Sequence, residues 1–416
     1  MFATRSKEFG LRAVEAIARR ASLAPVSLAR RTLLRFLGRP ALAPIPAAEV
    51  ALSTVELSDG SPSTRSAPCA VRDSPKVDYV AFAPLRAHTL NNTIVSAYAS
   101  GVVSKGSLLL PSALLAHRET WCTDGDGMFE FANDKCFGRR VSSEPISNGI
   151  LIGGAGAFNW YHFMIEVLPK LSLVDRLPSE TAAWPLLVPD ECRRLPSFSD
   201  ALQIFAGVRS IRYLKRGEYL QADRLVLIDD VSLCPYNLSP GVWPRPEDFG
   251  QHDTVVRAFL KELRQGLMQR APAQANTPRR VFLVRSGTRR QYNQEELLKI
   301  AQVYGFEPKS PETLTLTEQA LLFGGADLVV GASGAAWVGM AFRAEPAKYL
   351  SWLPAEYMGF SCYSNLAALL GHHLAYLEAI PDLPIRNTWD AYRGSYWIDP
   401  AAFDQALRHL TGESPT

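Results

Sequence analysis

The residues best suited to chemistry in this 416-residue chain are His162 and Glu166, which follow a glycine-rich segment at residues 153–156. Their spacing of four residues places both side chains on one face of a helix. An imidazole and a carboxylate presented together can exchange a proton with a bound substrate. Taken alone, such a pair is more often a solvated or capped pair on a helix surface, so the rest of the chain must decide its role.

The glycine-rich segment is predicted to be a tight turn between a strand and the helix of His162. From Gly154 onward it does not satisfy the Gly-x-Gly-x-x-Gly pattern of dinucleotide-binding turns. Phe163 and Leu168 mostly point away from the polar face and are predicted to lie in a core. The segment therefore indicates a site built around the two polar side chains rather than a dinucleotide cradle.

A second candidate site contains Arg285, Arg289 and Arg290, which follow a predicted strand at residues 280–284. The planar guanidinium group suits phosphate oxygens, and ligands of open α/β sheets bind beyond the carboxyl ends of strands. These arginines are therefore candidates for phosphate binding. The alternative is a solvated basic loop in which Asn293 caps the next helix.

Another predicted strand, at residues 326–331, ends in the small residues Ser333, Gly334 and Ala335. A helix that starts there would direct its first N–H groups and the positive end of its dipole at an anion. Such turns are common in α/β folds. Two anion-binding strand ends in one domain are a stronger indication than either alone.

The composition is that of a soluble globular protein, with 47% apolar and 20% charged residues. The length predicts two domains. No run of eighteen apolar residues is present, so we predict no transmembrane helix. The six cysteines lack Cys-x-x-Cys or zinc-ligand spacing. We therefore expect free thiols in a reducing, cytoplasmic setting, with no bound metal.

The first 46 residues differ from the rest in charge. They hold nine Lys and Arg against two Glu, a net charge of +7, whereas the remainder carries −4. Apolar residues at helical spacing predict two short basic helices broken at Pro25. Residues 1–40 would favour an anionic membrane surface, although a partly disordered leader without a partner is equally consistent. Nucleic acid is not an expected partner, because interleaved aromatic residues are missing.

Alternating strands and helices predict an α/β protein with two Rossmann-like domains. A segment rich in Pro, Ser and Ala precedes the first domain, and a proline-rich stretch separates the two. The predicted order is a basic amphipathic leader (1–46), a linker (47–76), an N-terminal domain (77–235), a hinge (236–250), a C-terminal domain (251–400) and a tail (401–416).

Several ordered motifs resemble glycosyltransferase family 61, which includes many bacterial capsular-polysaccharide biosynthesis proteins. The resemblance covers roughly residues 77–390. The family pattern of Asn-x-x-His, an acidic residue and Leu-Pro-Arg corresponds here to Asn159, His162, Glu166 and Leu168-Pro169-Lys170. The patterns Arg-Arg-x-x-Asn-Glu and Glu-Gln correspond to residues 289–294 and to Glu318-Gln319.

The resemblance implies a GT-B-like fold, with two Rossmann-like domains facing a cleft, and an inverting transfer from a nucleotide sugar. It implies no cofactor; the nucleotide sugar is a substrate. His162 and Glu166 would be catalytic, and Gly154, Gly156 and Asn159 would lie on the acceptor side. The implied donor-binding residues are Arg285, Arg289, Arg290, Asn293, Glu318, Gln319, Ser333, Gly334 and Ala335.

One departure concerns the donor site, where Ser333 stands in place of the histidine of the family pattern Gly-x-His-Gly-Ala. The expected function is transfer of a sugar to a glycan or lipid-linked acceptor in cell-surface polysaccharide biosynthesis, at the inner face of the plasma membrane. The main alternative is a catalytically inactive protein of this fold that binds glycan or scaffolds a polysaccharide assembly complex. A third possibility is a pyruvyl or phosphosugar transferase.

Overall fold

The computed structural model describes residues 41–111, 121–122, 128–132, 135–138, 144–235, 237–238, 242–271, 277–287, 290–386, 390–391 and 394–413. Within these residues the chain has a mixed α/β fold, which confirms the predicted class. The GT-B-like arrangement of two domains around a cleft stays a prediction. Residues 1–40 of the predicted basic leader lie outside the described residues, and so does Arg289.

Twenty-five strands are described, most of them in two large sheets. The strands of the N-terminal part are β1 (Ala41–Pro46), β2 (Ser53–Ser58), β3 (Ser61–Ser66), β4 (Cys69–Ala70), β5 (Val77–Phe82), β6 (Leu85–Val95), β7 (Val102–Ser104), β8 (Ser107–Leu110), β9 (Trp121–Cys122), β10 (Phe129–Ala132), β11 (Lys135–Gly138), β12 (Glu144–Leu151), β13 (Leu186–Pro189), β14 (Ile211–Leu214), β15 (Leu220–Ile228), β16 (Ser232–Leu233), β17 (Asn237–Leu238) and β18 (Gly250–Gln251). The strands that follow are β19 (Arg280–Leu283), β20 (Glu307–Lys309), β21 (Leu328–Gly331), β22 (Lys348–Leu353), β23 (His373–Glu378), β24 (Ile380–Pro381) and β25 (Tyr396–Trp397).

The α-helices are mostly short, and 3-10 turns supplement them. They are α1 (Trp160–His162), α2 (Glu191–Arg194), α3 (Pro196–Phe205), α4 (Asp253–Met268), α5 (Gln294–Val303), α6 (Leu316–Gly325), α7 (Cys362–Leu370) and α8 (Pro400–Thr411). Of the helices that the structure describes, none is both long and apolar enough to span a bilayer.

The larger sheet has eleven described strands in the order β10-β11-β1-β8-β7-β6-β15-β12-β13-β14, with β2 also paired to β6. The run β15-β12-β13-β14 is parallel throughout, as the prediction of a Rossmann-like domain requires, and β1 also pairs parallel with β8. The next strand, β6, pairs antiparallel with β15 and with β7. Between residues 77 and 110 successive strands are joined by connections too short for a parallel crossover. The prediction of a mostly parallel N-terminal sheet is therefore wrong for the remaining described strand pairs of this sheet, which are antiparallel.

The second sheet is parallel throughout its six described strands, in the order β20-β19-β21-β22-β23-β4. Its first five strands have the doubly wound order 2-1-3-4-5 along the chain, which agrees with a Rossmann-like domain. All four residues of β21 are buried, as expected of a parallel strand covered on both faces. The order reverses between β19 and β21, and in the larger sheet between β12 and β15. Ligands of such sheets bind at these reversal points.

Residues 47–76, predicted as a linker, instead contain β2, β3 and β4. Strand β3 is stabilised by polar contacts: the backbone N–H and hydroxyl of Thr64 donate to Asp253, at 2.9 and 2.6 Å from Oδ2. The backbone N–H of Ser66 donates to Asn365 Oδ1 at 2.7 Å. Buried serine and threonine pair with polar partners far along the chain, so no apolar alternation marks this strand in the sequence.

The predicted tail at residues 401–416 is also mostly folded. Helix α8 buries Phe403, Ala406 and Leu407 against one face of the parallel sheet. A larger apolar core is continuous from the mixed sheet to the other face of the parallel sheet. Four cysteines whose side chains are described have free thiols, namely Cys69, Cys192, Cys234 and Cys362.

Candidate active site

His162 and Glu166 are in direct contact at the end of the glycine turn. Asn159 caps the helical turn by accepting a hydrogen bond from Tyr161 N–H at 2.9 Å. Helix α1 then widens into a π-helical turn over Phe163–Val167. His162 Nδ1 shares a short hydrogen bond with Glu166 Oε2. The backbone N–H of Cys234 donates to the other oxygen, Oε1, at 2.8 Å, so both carboxylate oxygens have a partner.

The glycine turn leaves room for this pair. A Cβ on Gly156 would overlap the ring of His162. A Cβ on Gly153 would lie 2.6 Å from the carbonyl oxygen of Ala97, and the neighbouring Gly154 N–H donates to that same oxygen at 3.1 Å. The structure thus gives Gly153 and Gly156 a packing role. The acceptor-side role of Gly154, Gly156 and Asn159 stays a prediction.

His162 is only 7% exposed. Burial alone would lower the pKa of its imidazole, but the adjacent Glu166 carboxylate outweighs burial through its charge and its hydrogen bond. The pKa of His162 is raised to about 9. An imidazole beside a carboxylate in an enclosed site is therefore a strong proton acceptor once it has lost its own proton.

Cys234 is the third member of this cluster. Burial first, and the neighbouring Cys362 thiol second, raise the pKa of Cys234 well above its usual range, so the side chain is a neutral thiol at pH 7. Ligand atoms of His162, Glu166 and Cys234 all lie within 4.8 Å of one another. These residue types are zinc ligands in other proteins, so the trio could hold a metal ion, although the sequence predicts none.

A buried ion pair lies beside the cluster. Lys170 Nζ is 2.5 Å from Asp230 Oδ1 and donates to the carbonyl oxygen of Gly153 at 3.1 Å. Burial raises the pKa of Asp230 to about 6, against the opposing effect of the Lys170 charge. Asp229 is held separately, by the backbone N–H of Arg86 at 2.9 Å and by His88 Nε2 at 3.2 Å. The carboxyl end of β15 therefore places two organised carboxylates next to the glycine turn after β12.

The second candidate site lies where the parallel sheet reverses its strand order. Arg285 follows β19, and its Nη2 donates to the carbonyl oxygen of Ser333, after β21, at 3.0 Å. A Cβ on Gly334 would lie 2.7 Å from the same Nη2, so glycine permits this close approach. Burial first, and the charge of Arg290 second, lower the pKa of Arg285, although a guanidinium keeps its proton at neutral pH.

A cavity of about 710 Å³ opens beside this strand end, and Arg285, Arg290 and Lys299 contribute cationic groups to its lining. Arg290 has a φ of 53°, which is uncommon outside glycine and indicates a constrained loop. Glu295, Glu296 and Lys299 line the cavity from α5, whereas Arg285 and Arg290 line it from the loop after β19. Charge and space are therefore combined here, as an anionic ligand requires.

The other predicted donor residues have structural contacts. Asn293 does not cap α5 with its side chain; it bonds to the backbone of Ile398, at 2.9 and 3.0 Å, while also lining the cavity. Glu318 accepts hydrogen bonds from Thr315 N–H and hydroxyl at 2.8 Å in a capping box. Gln319 donates to the carbonyl oxygen of Leu314 at 3.1 Å. Ala335, half-buried, begins the turn after Gly334. A donor contact for these residues stays a prediction.

Tyr363, on α7, is in contact with one candidate site and within electrostatic range of the other. Its ring packs edge-on against Tyr161, the neighbour of His162, with ring centroids 5.0 Å apart. Its phenol also acts electrostatically on Arg285. In addition, Tyr161 hydroxyl donates to the carbonyl oxygen of Cys362 at 3.0 Å. The histidine pair and the arginine-bearing strand end are therefore linked through α7.

The sequence did not single out Cys234, Asp230 or Tyr363, and it gave Lys170 no role. A signal was available for one of them: Asp229 and Asp230 directly follow the buried strand β15, and the carboxyl ends of such strands often carry site residues. No local sequence pattern distinguishes Cys234 or Tyr363. Their contacts with Glu166 and Tyr161 depend on the tertiary fold.

Comparison with known protein families gives one match that contains most of both candidate sites. Residues 160–350 match the family model described as Glycosyltransferase 61. No protein among those with curated descriptions matches the chain. The matched range contains His162, Glu166, Arg285 and Ser333. This match supports membership of glycosyltransferase family 61 for this region of the chain.

Proposed function

We propose that this glycosyltransferase is an inverting enzyme that moves a sugar from a nucleotide-sugar donor to a hydroxyl of a glycan or lipid-linked acceptor. The family match supports the class of reaction. The observation that carries the proposal is that Tyr363 packs against the neighbour of His162 and lies within electrostatic range of Arg285, a half-buried guanidinium beside a cavity. The paired imidazole and carboxylate suit proton transfer, and the guanidinium suits binding of a diphosphate.

In this proposal His162 accepts the proton of the acceptor hydroxyl, and Glu166 orients the imidazole of His162. Both oxygens of Glu166 already accept hydrogen bonds, from His162 and from Cys234 N–H. The acceptor hydroxyl gives its proton to the imidazole, and its oxygen forms the new bond to the anomeric carbon. The bond from that carbon to the diphosphate oxygen breaks, and its electron pair leaves with the diphosphate. A positioned base contributes roughly 10² to 10⁴-fold to such a step.

The departing diphosphate gains negative charge, which Arg285 and Arg290 would stabilise together with backbone N–H groups near Gly334. Guanidinium groups fixed beforehand stabilise developing charge without reorganising during the reaction. In this proposal the arginines take the place of a metal ion, as the sequence predicts.

Donor binding is the direct test. A panel of nucleotide sugars would be screened by thermal shift, because a ligand of the folded state raises the melting temperature. We expect one nucleotide sugar to stabilise the wild type and to lose most of its effect in Arg290→Ala. Arg280→Ala is the matched control: Arg280 begins β19 at the opposite end and pairs with Glu413 at 2.7 Å, so donor binding should survive. If no nucleotide sugar stabilises the wild type, the proposal is wrong.

Ser333 favours a second candidate, a catalytically inactive member of the family that binds glycan or scaffolds an assembly complex. The same nucleotide-sugar screen separates the candidates when it is followed by an assay for donor hydrolysis and transfer. Donor binding without turnover on any acceptor, or glycan binding without donor binding, would favour the inactive protein. Stabilisation by a pyruvyl or phosphosugar donor alone would favour another transferase class.

We also propose that the enzyme acts in cell-surface polysaccharide biosynthesis at the cytoplasmic face of the membrane. The support is the net charge of +7 over residues 1–46, with apolar residues at helical spacing. The full chain should bind vesicles that contain anionic lipid more strongly than neutral vesicles, and added salt should weaken that binding. Equal binding to both vesicle types would contradict the membrane role.

A further inference from the structure

Lys170 is among the largest fully buried side chains that the structure describes, at 1% exposure. Its ammonium is enclosed by Asp230 Oδ1 at 2.5 Å and the carbonyl oxygen of Gly153 at 3.1 Å. Burying a charged pair seldom adds stability over an apolar pair of similar size. The retention of both charges at this place therefore calls for a role other than stability.

The two partners of Lys170 lie at the start of the two segments that hold the His162–Glu166 pair. Gly153 opens the glycine turn, in which Gly156 accommodates the His162 ring. Asp230 opens the segment after β15 that ends at Cys234, whose backbone N–H donates to Glu166 at 2.8 Å. One ammonium therefore joins the turn beneath the imidazole to the segment that fixes the carboxylate.

We propose that the Lys170–Asp230 ion pair is a positioning device that fixes His162 and Glu166 relative to each other for proton transfer. This inference rests on the proposed function, since it assumes that the histidine pair acts in the reaction. Lys170 and Asp230 act through other residues and are not catalytic themselves. Their removal changes the turnover rate kcat and leaves donor binding unchanged, because the donor contacts lie in the other sheet.

Three variants test the device: Lys170→Met, Asp230→Asn, and the double variant Lys170→Met/Asp230→Leu. Each single variant leaves one buried charged or polar group without its partner and is expected to lower the melting temperature. The double variant replaces the pair with apolar groups and should recover most of that loss. A purely structural pair therefore predicts that kcat recovers together with the melting temperature.

The positioning role predicts that kcat does not recover with the melting temperature. The double variant should have a melting temperature near that of the wild type and an unchanged KM for the donor, but a kcat lower by about a hundredfold. A displacement of about 1 Å in a reacting group commonly has an effect of this size. Recovery of kcat in the double variant would overturn the proposal. If the single variants fail to fold, the double variant decides by itself.

Lys348→Met is the matched control, because Lys348 Nζ also donates to a backbone carbonyl oxygen, that of Leu410, at 2.8 Å. It should lower the melting temperature slightly and leave kcat unchanged. His162→Ala, measured in the same assay, separates the two proposals. If His162→Ala is fully active, the base assignment and the positioning role both fail. If His162→Ala is inactive while the double variant is fully active, only the positioning role fails.

Discussion

The two candidate sites share a location in their sheets but differ in how their charges are arranged. Each lies where the strand order reverses, after β12 and β15 in the mixed sheet and after β19 and β21 in the parallel sheet. Beside β12, His162 pairs with Glu166 and Lys170 with Asp230, in an enclosed environment. Beside β19, Arg285 contacts a backbone carbonyl oxygen and lines an accessible cavity.

This difference separates proton transfer from ligand binding. Charges that neutralise one another in a buried cluster attract no ionic ligand strongly, but they can set the pKa of a member. A guanidinium that lines an accessible cavity, as that of Arg285 does, attracts an anion. If proton transfer and donor binding are separated in this way, substitutions at the two sites should change different constants, with effects that range from large to small.

Removing the imidazole should have the largest effect. His162→Ala should lower kcat by roughly 10² to 10⁴-fold, because a positioned base contributes that much, while the Kd of the donor stays within a factor of about two. Glu166→Gln should lower kcat less, since it removes the orienting charge and keeps most of the shape. Transfer rates and donor titration calorimetry would measure both quantities. A large loss of donor affinity in His162→Ala would contradict the division between the sites.

The pH dependence should differ between the two sites. The pKa of His162 is raised to about 9, and only the unprotonated imidazole accepts a proton. The transfer rate should therefore rise about tenfold per pH unit below that pKa and level off above it. Donor affinity should not follow this rise, because the arginines keep their protons throughout.

Glu166→Gln should shift the rise in transfer rate to lower pH. Without the carboxylate, burial of the imidazole dominates, and its pKa should fall to about 6.5 or below. The rate profile of this variant would then be nearly flat between pH 7 and 9. An unchanged profile in Glu166→Gln would show that another group controls the reaction.

Two glycine substitutions should affect different quantities. Gly156→Ala places a methyl group against the His162 ring and should lower kcat, whereas Gly334→Ala crowds Arg285 Nη2 at 2.7 Å and should weaken donor binding. Overpacking of this kind costs about 1–3 kcal/mol, which corresponds to roughly a 5-fold to 150-fold effect. Gly324→Ala is the control, since its Cβ would meet only the carbonyl oxygen of Phe342 at 3.4 Å. If both variants changed the same constant, the sites would not be separate.

Metal removal should have the smallest effect. Chelation with EDTA is expected to leave the transfer rate unchanged, because the arginines stabilise the diphosphate. The His162, Glu166 and Cys234 cluster makes this test informative, since its ligand atoms lie close enough to hold an ion. Loss of activity on chelation, restored by zinc in the wild type but not in Cys234→Ser, would contradict metal independence.

Local sequence patterns predicted the candidate residues well where the residues in contact are close together along the chain or lie on paired strands. The spacing of His162 and Glu166 places them in contact even though the helix widens there. The strand end that carries Arg285 and the small residues at Ser333 meet because β21 pairs in parallel with β19, where the strand order reverses. Glu318 shows a missed local signal: Thr315-x-x-Glu318 is a capping-box pattern, and the structure contains that capping box.

Long-range contacts could not be predicted from the sequence. Cys234 reaches Glu166 from 68 residues away along the chain, and its position depends on how β15 pairs with β12. The antiparallel strands β6, β7 and β8, which extend the mixed sheet beyond β15, follow one another within described residues that contain no helix, so no helical pattern indicates how they pair. Strand β3 was not predicted from its Ser-rich sequence, because its stability comes from long-range contacts. Thr64 bonds to Asp253, 189 residues away, and Ser66 bonds to Asn365, 299 residues away.

Strand β4 has a consequence for any attempt to divide the chain. This two-residue strand comes from the first 70 residues, yet it pairs with β23 at the edge of the parallel sheet. A fragment that begins after residue 250 would expose the backbone of β23 and leave Asp253 and Asn365 without their partners on β3. Exposed strand edges promote aggregation. The half of the chain proposed to bind the donor should therefore be studied in the intact chain, or with residues 59–82 supplied as a separate complementing peptide.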